Sequence, residues 1–236
     1  MAITYGTATT FSSGAAGDNI DLTVPTVNDG ERLLVVVGQG AGTAVDPAIE
    51  DMNAAEGFTE IENTGETGGR DHSIGIGLKV AASESGTYNF NLVGISSGVD
   101  RVGICLPIIG SDGLDVTYVK ATHYADVTND PTPTSPAITT VTNNAEVVLI
   151  HLCTHLALTA VAPTGYTIRA DITDSANRNI VVATKLVATA GVETPGAWAH
   201  TDGDAASEGI TVTLALKPTA AGSATRRYSL SLAGVG

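Results

Sequence analysis

Aromatic and basic side chains are scarce in this chain of 236 residues. Phe, Tyr and Trp make up only 4% of it, with a single tryptophan, so a core has to be built from Val, Ile, Leu and Ala. Basic residues number 11 against 25 acidic ones, which gives a formal net charge of −14. Because a surface of this sign repels phosphate groups, we expect neither nucleic acid nor an anionic membrane as a partner.

Long apolar runs and the marks of a secretory leader are also missing. No stretch approaches the roughly 20 apolar residues that cross a bilayer. The first residues, MAITYGTATTFSSG, have no basic start and no apolar segment. The two cysteines, Cys105 and Cys153, lie in apolar, strand-like runs. We therefore expect synthesis in a reducing bacterial cytoplasm with two buried thiols, although a disulfide stays open if the two strands are neighbours.

Short strand patterns separated by turn residues fill most of the chain. Residues 20–24 alternate apolar and polar side chains, whereas Leu33–Val37 is an unbroken apolar run, typical of a strand buried on both faces. One short helix is predicted near residues 46–56, from Asp46-Pro47 at its start and Gly57 after its end. Further strands are predicted at 58–62, 72–81, 87–93, 102–109, 115–122, 137–141, 147–153, 166–172, 179–187 and 209–216.

An internal repeat organises these strands. Four blocks recur in the same order: 28–37 matches 142–150, 57–61 matches 165–169, 77–81 matches 184–188, and 103–107 matches 209–213. We predict an all-β protein, a duplicated antiparallel β-sandwich with jelly-roll-like strand order. The first repeat would cover residues 1–112, the second 113–218, and a C-terminal arm 219–236. Whether the repeats form one sandwich or two tandem ones stays open.

Three motifs resemble catalytic or metal sites without meeting their structural requirements. Gly94-Ile95-Ser96-Ser97-Gly98 fits the G-x-S-x-G pattern, but that nucleophile must stand between a strand and a helix, and here another strand follows. His151, Cys153 and His155 share one strand face but span about 13 Å, too far for one ion. Asp202, Asp204 and Glu208 lack the register of a calcium loop and are typical of solvated surface. We therefore predict no enzyme, no metal and no cofactor.

The C-terminal arm contains the only adjacent basic pair of the chain and then a short alternating run. Such a segment could pair with the edge of a sheet in another chain. A frayed or locally folded terminus is the alternative, and both stay open. The residues predicted to contact a partner are Arg226, Arg227, Tyr228, Leu230 and Leu232.

Three segments resemble a loose group of phage and prophage structural proteins with jelly-roll-like repeats. They are VPTVNDGERLLVVV at 24–37, APTGYT at 162–167 and LALKPTA at 214–220. The resemblance covers most of the chain, rests on strand and turn patterns, and brings no catalytic residues. It implies a non-enzymatic protein on the outside of a virion.

Within that setting, the resemblance implies a capsid decoration (cement) protein that binds the outer head surface and bridges capsomers. Its partners would be the major capsid protein or other virion proteins, and it would act as a homo-oligomer, with a trimer favoured. The alternative is a receptor- or glycan-binding module of a tail fibre or baseplate, for which Trp198 and Tyr166 are the candidate aromatic platforms.

Overall fold

The computed structural model describes residues 2–13, 19–41, 48–52, 56–66, 71–93, 100–123, 133–154, 160–173, 178–200 and 209–220. These residues form antiparallel strands in several sheets, which confirms the predicted all-β class. Within these ranges, no helix is long and apolar enough to cross a membrane.

The first repeat is a jelly roll. Its strands are β1 (Thr4–Tyr5), β2 (Thr9–Ser13), β3 (Asn19–Thr23), β4 (Arg32–Ala41), β5 (Ala48–Ile49), β6 (Thr59–Glu66), β7 (Asp71–Val80), β8 (Thr87–Val93) and β9 (Asp100–Ile109). The large sheet has the order β1-β9-β4-β7-β6, with β2 also beside β9, and the small sheet has the order β3-β8-β5. When β2 to β9 are counted as eight strands, the first lies beside the eighth and the second beside the seventh, which is jelly-roll order.

The second repeat follows the same path. Its strands are β10 (Ser111–His123), β11 (Ile138–Thr139), β12 (Ala145–Thr154), β13 (Ala160–Val161), β14 (Thr167–Thr173), β15 (Arg178–Val187), β16 (Val192–Glu193), β17 (Ala199–His200) and β18 (Gly209–Pro218). Its large sheet, β10-β18-β12-β15-β14, matches the first one strand by strand, with β10 in place of β1 and β2. The pairs β11-β16 and β13-β17 take the place of the small sheet.

The two large sheets pack face to face around one shared core. Leu34, Ile76 and Ile104 of the first repeat meet Ile150, Ile180 and Leu214 of the second, and all six are fully buried. The predicted burial of Leu33–Val37 on both faces is confirmed, since alternate residues of this run enter the shared core and an outer core. The repeats therefore form one four-layered body rather than two independent sandwiches.

Each large sheet also has an outer core beneath its small strands. In the first repeat this core contains Phe58, Phe90 and Met52, and in the second it is built around Trp198. Cys105 and Cys153 are buried thiols, as predicted, and lie in different large sheets. Burial raises the pKa of the Cys105 thiol to about 12, with Glu84 adding to the effect, so this thiol stays protonated and unreactive at neutral pH.

The helix predicted near residues 46–56 does not begin where Asp46-Pro47 indicated. Ala48–Ile49 forms β5 instead, because it pairs with β8 and buries Ile49 in the outer core. Met52 and Glu56 have helical backbone geometry, and residues 53–55 between them lie outside the described part.

The strand registers bring both ends of the described chain and the link between the repeats together at one end of the body. Thr4 lies opposite Ile109, and Ser111 lies opposite Pro218. Only Gly110 separates β9 from β10, and its φ of 78° is in the left-handed region that favours glycine. We call this end the base; the repeats meet there, close to the predicted boundary after residue 112.

Because the repeats share a core, we expect them to unfold together. Ile150→Ala should lower the free energy of unfolding by about 2–5 kcal/mol, the usual cost of emptying a buried Ile site. Urea titrations can follow the second repeat by Trp198 fluorescence and the first repeat by amide exchange of β4. The two probes should give coincident unfolding transitions, and Ile150→Ala should shift both midpoints by the same amount. Two separate transitions, with β4 unaffected, would contradict the shared core.

Candidate interaction surface

The exposed edges of the large sheets carry matching irregularities. In β6 the register steps from Glu60 to Glu62, so Ile61 is an extra, bulged residue. In β14 it steps from Ile168 to Ala170, so Arg169 is the extra residue there. Such bulges twist an edge strand and discourage uncontrolled pairing with other chains. The two positions correspond in the repeat, but Ile61 is apolar whereas Arg169 is charged.

At Ile61 the space between the two large sheets is open. A groove runs between β6 and β10, and we call it the open groove. Its base half encloses about 290 Å³ and is lined by Arg32, Thr59, Ile61, Leu78, Asp112 and Leu114. Its upper half, about 330 Å³, adds Glu60, Asp115, Val116, Thr117 and Tyr118. The apolar floor and polar rim are what a docked peptide segment requires.

Away from the base, polar contacts close the open groove. The Lys120 ammonium donates a hydrogen bond to the Thr64 hydroxyl at 3.0 Å and lies 3.6 Å from a Glu62 carboxylate oxygen. Burial raises the pKa of Tyr118, and a hydrogen bond with Glu62 raises it further. The groove is therefore accessible from its side and from the base.

The charged side chains of the open groove have few partners among the described residues. The Arg32 Nε–H donates to the Ser111 carbonyl at 3.3 Å, and the described residues place no carboxylate within ion-pair distance of this guanidinium. Asp115 accepts the Val141 backbone N–H on Oδ2 at 2.7 Å, but its buried Oδ1 has no hydrogen-bond partner within the described part of the chain. The groove therefore has charged and hydrogen-bonding groups that the described residues leave available.

On the other side of the body, Arg169 lies at the position equivalent to Ile61, with its side chain 35% exposed. Its guanidinium lies 4.7 Å from the centre of the Tyr5 ring, its Nε–H donates to the Thr184 hydroxyl at 2.8 Å, and its Nη2 lies 3.9 Å from Glu146 Oε1. Burial raises the pKa of Glu146, although hydrogen bonding with Thr184 and the charge of Arg169 oppose the effect. This side is a closed contact between the repeats.

The aromatic residues predicted as glycan platforms are both engaged inside the body. Trp198 is completely buried, contrary to the expected exposure of its segment; its ring stacks on His151 with centroids 5.0 Å apart, and its indole N–H donates to Ser135 at 2.9 Å. The Tyr166 hydroxyl donates to Glu193 at 3.2 Å, and Lys185 lies over its ring. Neither ring presents the open face that a sugar would stack on.

The surroundings of Tyr166 recur in the first repeat. There Lys79 lies over the Phe58 and Tyr88 rings and forms an ion pair with Glu84 at 2.9 Å, as Lys185 does with Glu193 at 2.7 Å. Although burial opposes it, hydrogen bonds from Tyr88 and Lys79 hold the pKa of Glu84 below its usual value. Since the same arrangement occurs twice, it belongs to the framework of each jelly roll.

The sequence motifs considered for chemistry form no site in the described structure. His151 and Cys153 lie on the outer face of β12, where His151 packs on Trp198, and His155 lies outside the described residues. Ser96, Asp202, Asp204 and Glu208 also lie outside them, as do Arg226, Arg227, Tyr228, Leu230 and Leu232. Among the residues that are described, no three His, Cys, Asp or Glu side chains gather where they could hold a metal ion.

Comparisons with protein-family models, with curated proteins and with solved structures found no match to this chain. The open groove is also a feature that the sequence motifs did not reveal. Its sequence signal is the difference between Ile61 and Arg169 at the ends of two corresponding blocks, which also differ at Glu60 and Ile168.

Removing Arg169 should destabilise the protein in a pH-dependent way. Arg169→Met leaves the buried Glu146 carboxylate without its cation, at a cost of about 1–3 kcal/mol at pH 7. Burial already raises the pKa of Glu146, and loss of the cation raises it further. The loss of stability caused by Arg169→Met is therefore present while Glu146 is ionised. It shrinks as the pH falls through the folded-state pKa of Glu146. Urea unfolding of both proteins between pH 7 and pH 4 measures the effect.

The double variant Arg169→Met, Glu146→Gln is the matched control. Since it carries no ionisable side chain at position 146, its stability relative to Glu146→Gln should not depend on pH over this range. A pH-dependent difference between these two variants would rule out Glu146 as the cause.

Proposed function

We propose that the protein is a non-enzymatic structural component of a bacteriophage particle, and specifically a decoration protein that binds the outer head surface and bridges capsomers. The observation that carries the proposal is the arrangement at the base. A four-layered body with fully buried central strands has both ends of its described chain, Ala2 and Ala220, at the same end. That geometry suits a rigid block tethered to a larger assembly through one face.

Three further observations support the proposal. The segments at 24–37, 162–167 and 214–220 resemble phage and prophage structural proteins. The net charge of −14 keeps densely displayed copies apart and so limits aggregation of particles. The sequence of the C-terminal arm contains a basic and apolar segment, as a contact to a neighbouring subunit requires. Many weak contacts of this kind on one lattice would add up through multivalency.

The proposal predicts saturable binding to heads assembled without the protein. The full chain should bind at a copy number fixed by the capsid lattice, and Tyr228→Ser, Leu230→Ser, Leu232→Ser should weaken binding at least about tenfold, because each buried apolar side chain contributes about 1.5–3 kcal/mol. Co-sedimentation with heads over a range of protein concentrations measures both quantities.

The variant Val161→Ser, Val192→Ser is the matched control. It removes apolar side chains that are 46% and 72% exposed on the second repeat and that belong neither to the arm nor to the open groove, and it should bind like the natural sequence. No binding of the full chain to heads would reject the decoration role. Binding to isolated tails instead would favour the fibre or baseplate alternative.

A further inference from the structure

At the other edge of the described body, Arg169 has the position that Ile61 has in the open groove, and it contacts Tyr5, Thr184 and Glu146. The two edges therefore differ. The sequence also has a C-terminal segment with an alternating apolar pattern, and this segment and the open groove match in position, in length and pattern, and in charge.

Their positions match because the described chain ends beside the groove. The Thr219 backbone N–H donates to the Gly110 carbonyl at 2.8 Å. The next residue, Ser111, starts β10, and Asp112 and Leu114 line the base half of the groove. Residues 221–225 include Gly222 and Ser223, which favour a reversal, and they allow about 20 Å between Ala220 and Arg226.

Length and pattern match as well. An extended segment from 226 to 232 covers about 20 Å, and the groove side of β10 from Asp112 to Tyr118 has the same number of residues. In an extended segment Tyr228, Leu230 and Leu232 share one face. The groove lining includes the half-buried Leu114 and Val116, together with Ile61, which is 8% exposed and belongs to the shared core.

The charges are complementary. Glu60, Asp112 and Asp115 line the groove together with Arg32, and Lys217 lies 3.6 Å from Asp112, so acidic side chains outnumber basic ones there. The segment begins with Arg226-Arg227. The buried Oδ1 of Asp115 also offers an acceptor that the described residues leave unused. Opposite charges at the rim favour docking in this groove over other apolar surfaces of an acidic body.

We propose that the open groove holds residues 226–232 of its own chain as an added extended segment along β10. Docking within one chain is favoured because the short spacer gives the segment an effective concentration in the millimolar range. The inference concerns the free protein and needs no capsid. Head binding without docking, or docking without head binding, would therefore separate this proposal from the proposed function.

Amide hydrogen exchange of the full chain tests the proposal. Residues 228–232 and 112–118 should exchange at least about tenfold more slowly than in the variant Tyr228→Ser, Leu230→Ser, Leu232→Ser, to the same extent at 1 and at about 100 µM protein. Ile61→Arg places in the open groove the side chain that Arg169 provides at the equivalent position of the other edge. This variant should release the segment in the same way. Ile168→Arg adds the same charge to the other edge at a site 40% exposed, and should leave protection unchanged.

Exchange of residues 228–232 at the unprotected rate in the natural sequence would overturn the proposal. Protection that appears only at the higher concentration would overturn it too, because it would place the segment in a neighbouring copy. The serine variant keeps the test decisive if Ile61→Arg fails to fold, since its changes lie outside the described body.

Discussion

The face-to-face packing of the two large sheets is the constraint from which the rest of the architecture follows. Each central strand has to be apolar on both faces, because one face meets the other repeat and the other meets an outer core. Glycine also serves this packing, since a Cβ on Gly38 would lie only 2.9 Å from Leu152 of the opposite sheet. With few aromatic side chains available, close approach of aliphatic residues over two long sheets supplies the burial that larger rings would otherwise supply.

This constraint also explains which parts of the fold sequence reasoning could predict. The central strands β4, β9 and β12 contain apolar runs, and β18 alternates aliphatic residues with Thr211 and Thr213, so all four were predictable as strands. β5 was not, because Asp46-Pro47 gives a genuine local helix signal that pairing of Ala48–Ile49 with β8 overrides. Two-residue strands such as β13 and β16 are too short for any periodicity to show.

The interaction surface was harder to predict than the fold, for a geometric reason. The difference between Ile61 and Arg169 is visible when the repeats are aligned, but its meaning depends on both residues being bulged and directed between the sheets. For Trp198, the predicted exposure was wrong for a different reason. Its neighbours Ala197 and Ala199 are exposed, so the segment looks like surface, yet the single tryptophan is the largest side chain of its outer core.

A duplicated fold allows its two copies to diverge in this manner at little cost. Equivalent positions of the two repeats occupy the same kind of edge, so one edge can specialise in stability while the other specialises in contact. At the closed edge, Arg169 pairs with Glu146 and Thr184 inside the second repeat and reaches the first repeat through the Tyr5 ring. At the open edge Arg32 stands where Glu146 stands in the other repeat, and Ile61 leaves room instead of filling it. A symmetric body would offer equal grooves at both edges, whereas the two edges differ in the described part of this chain. The asymmetry between the edges is therefore the feature of the body from which the docking of residues 226–232 is argued, while the arrangement at the base supports attachment to a larger assembly.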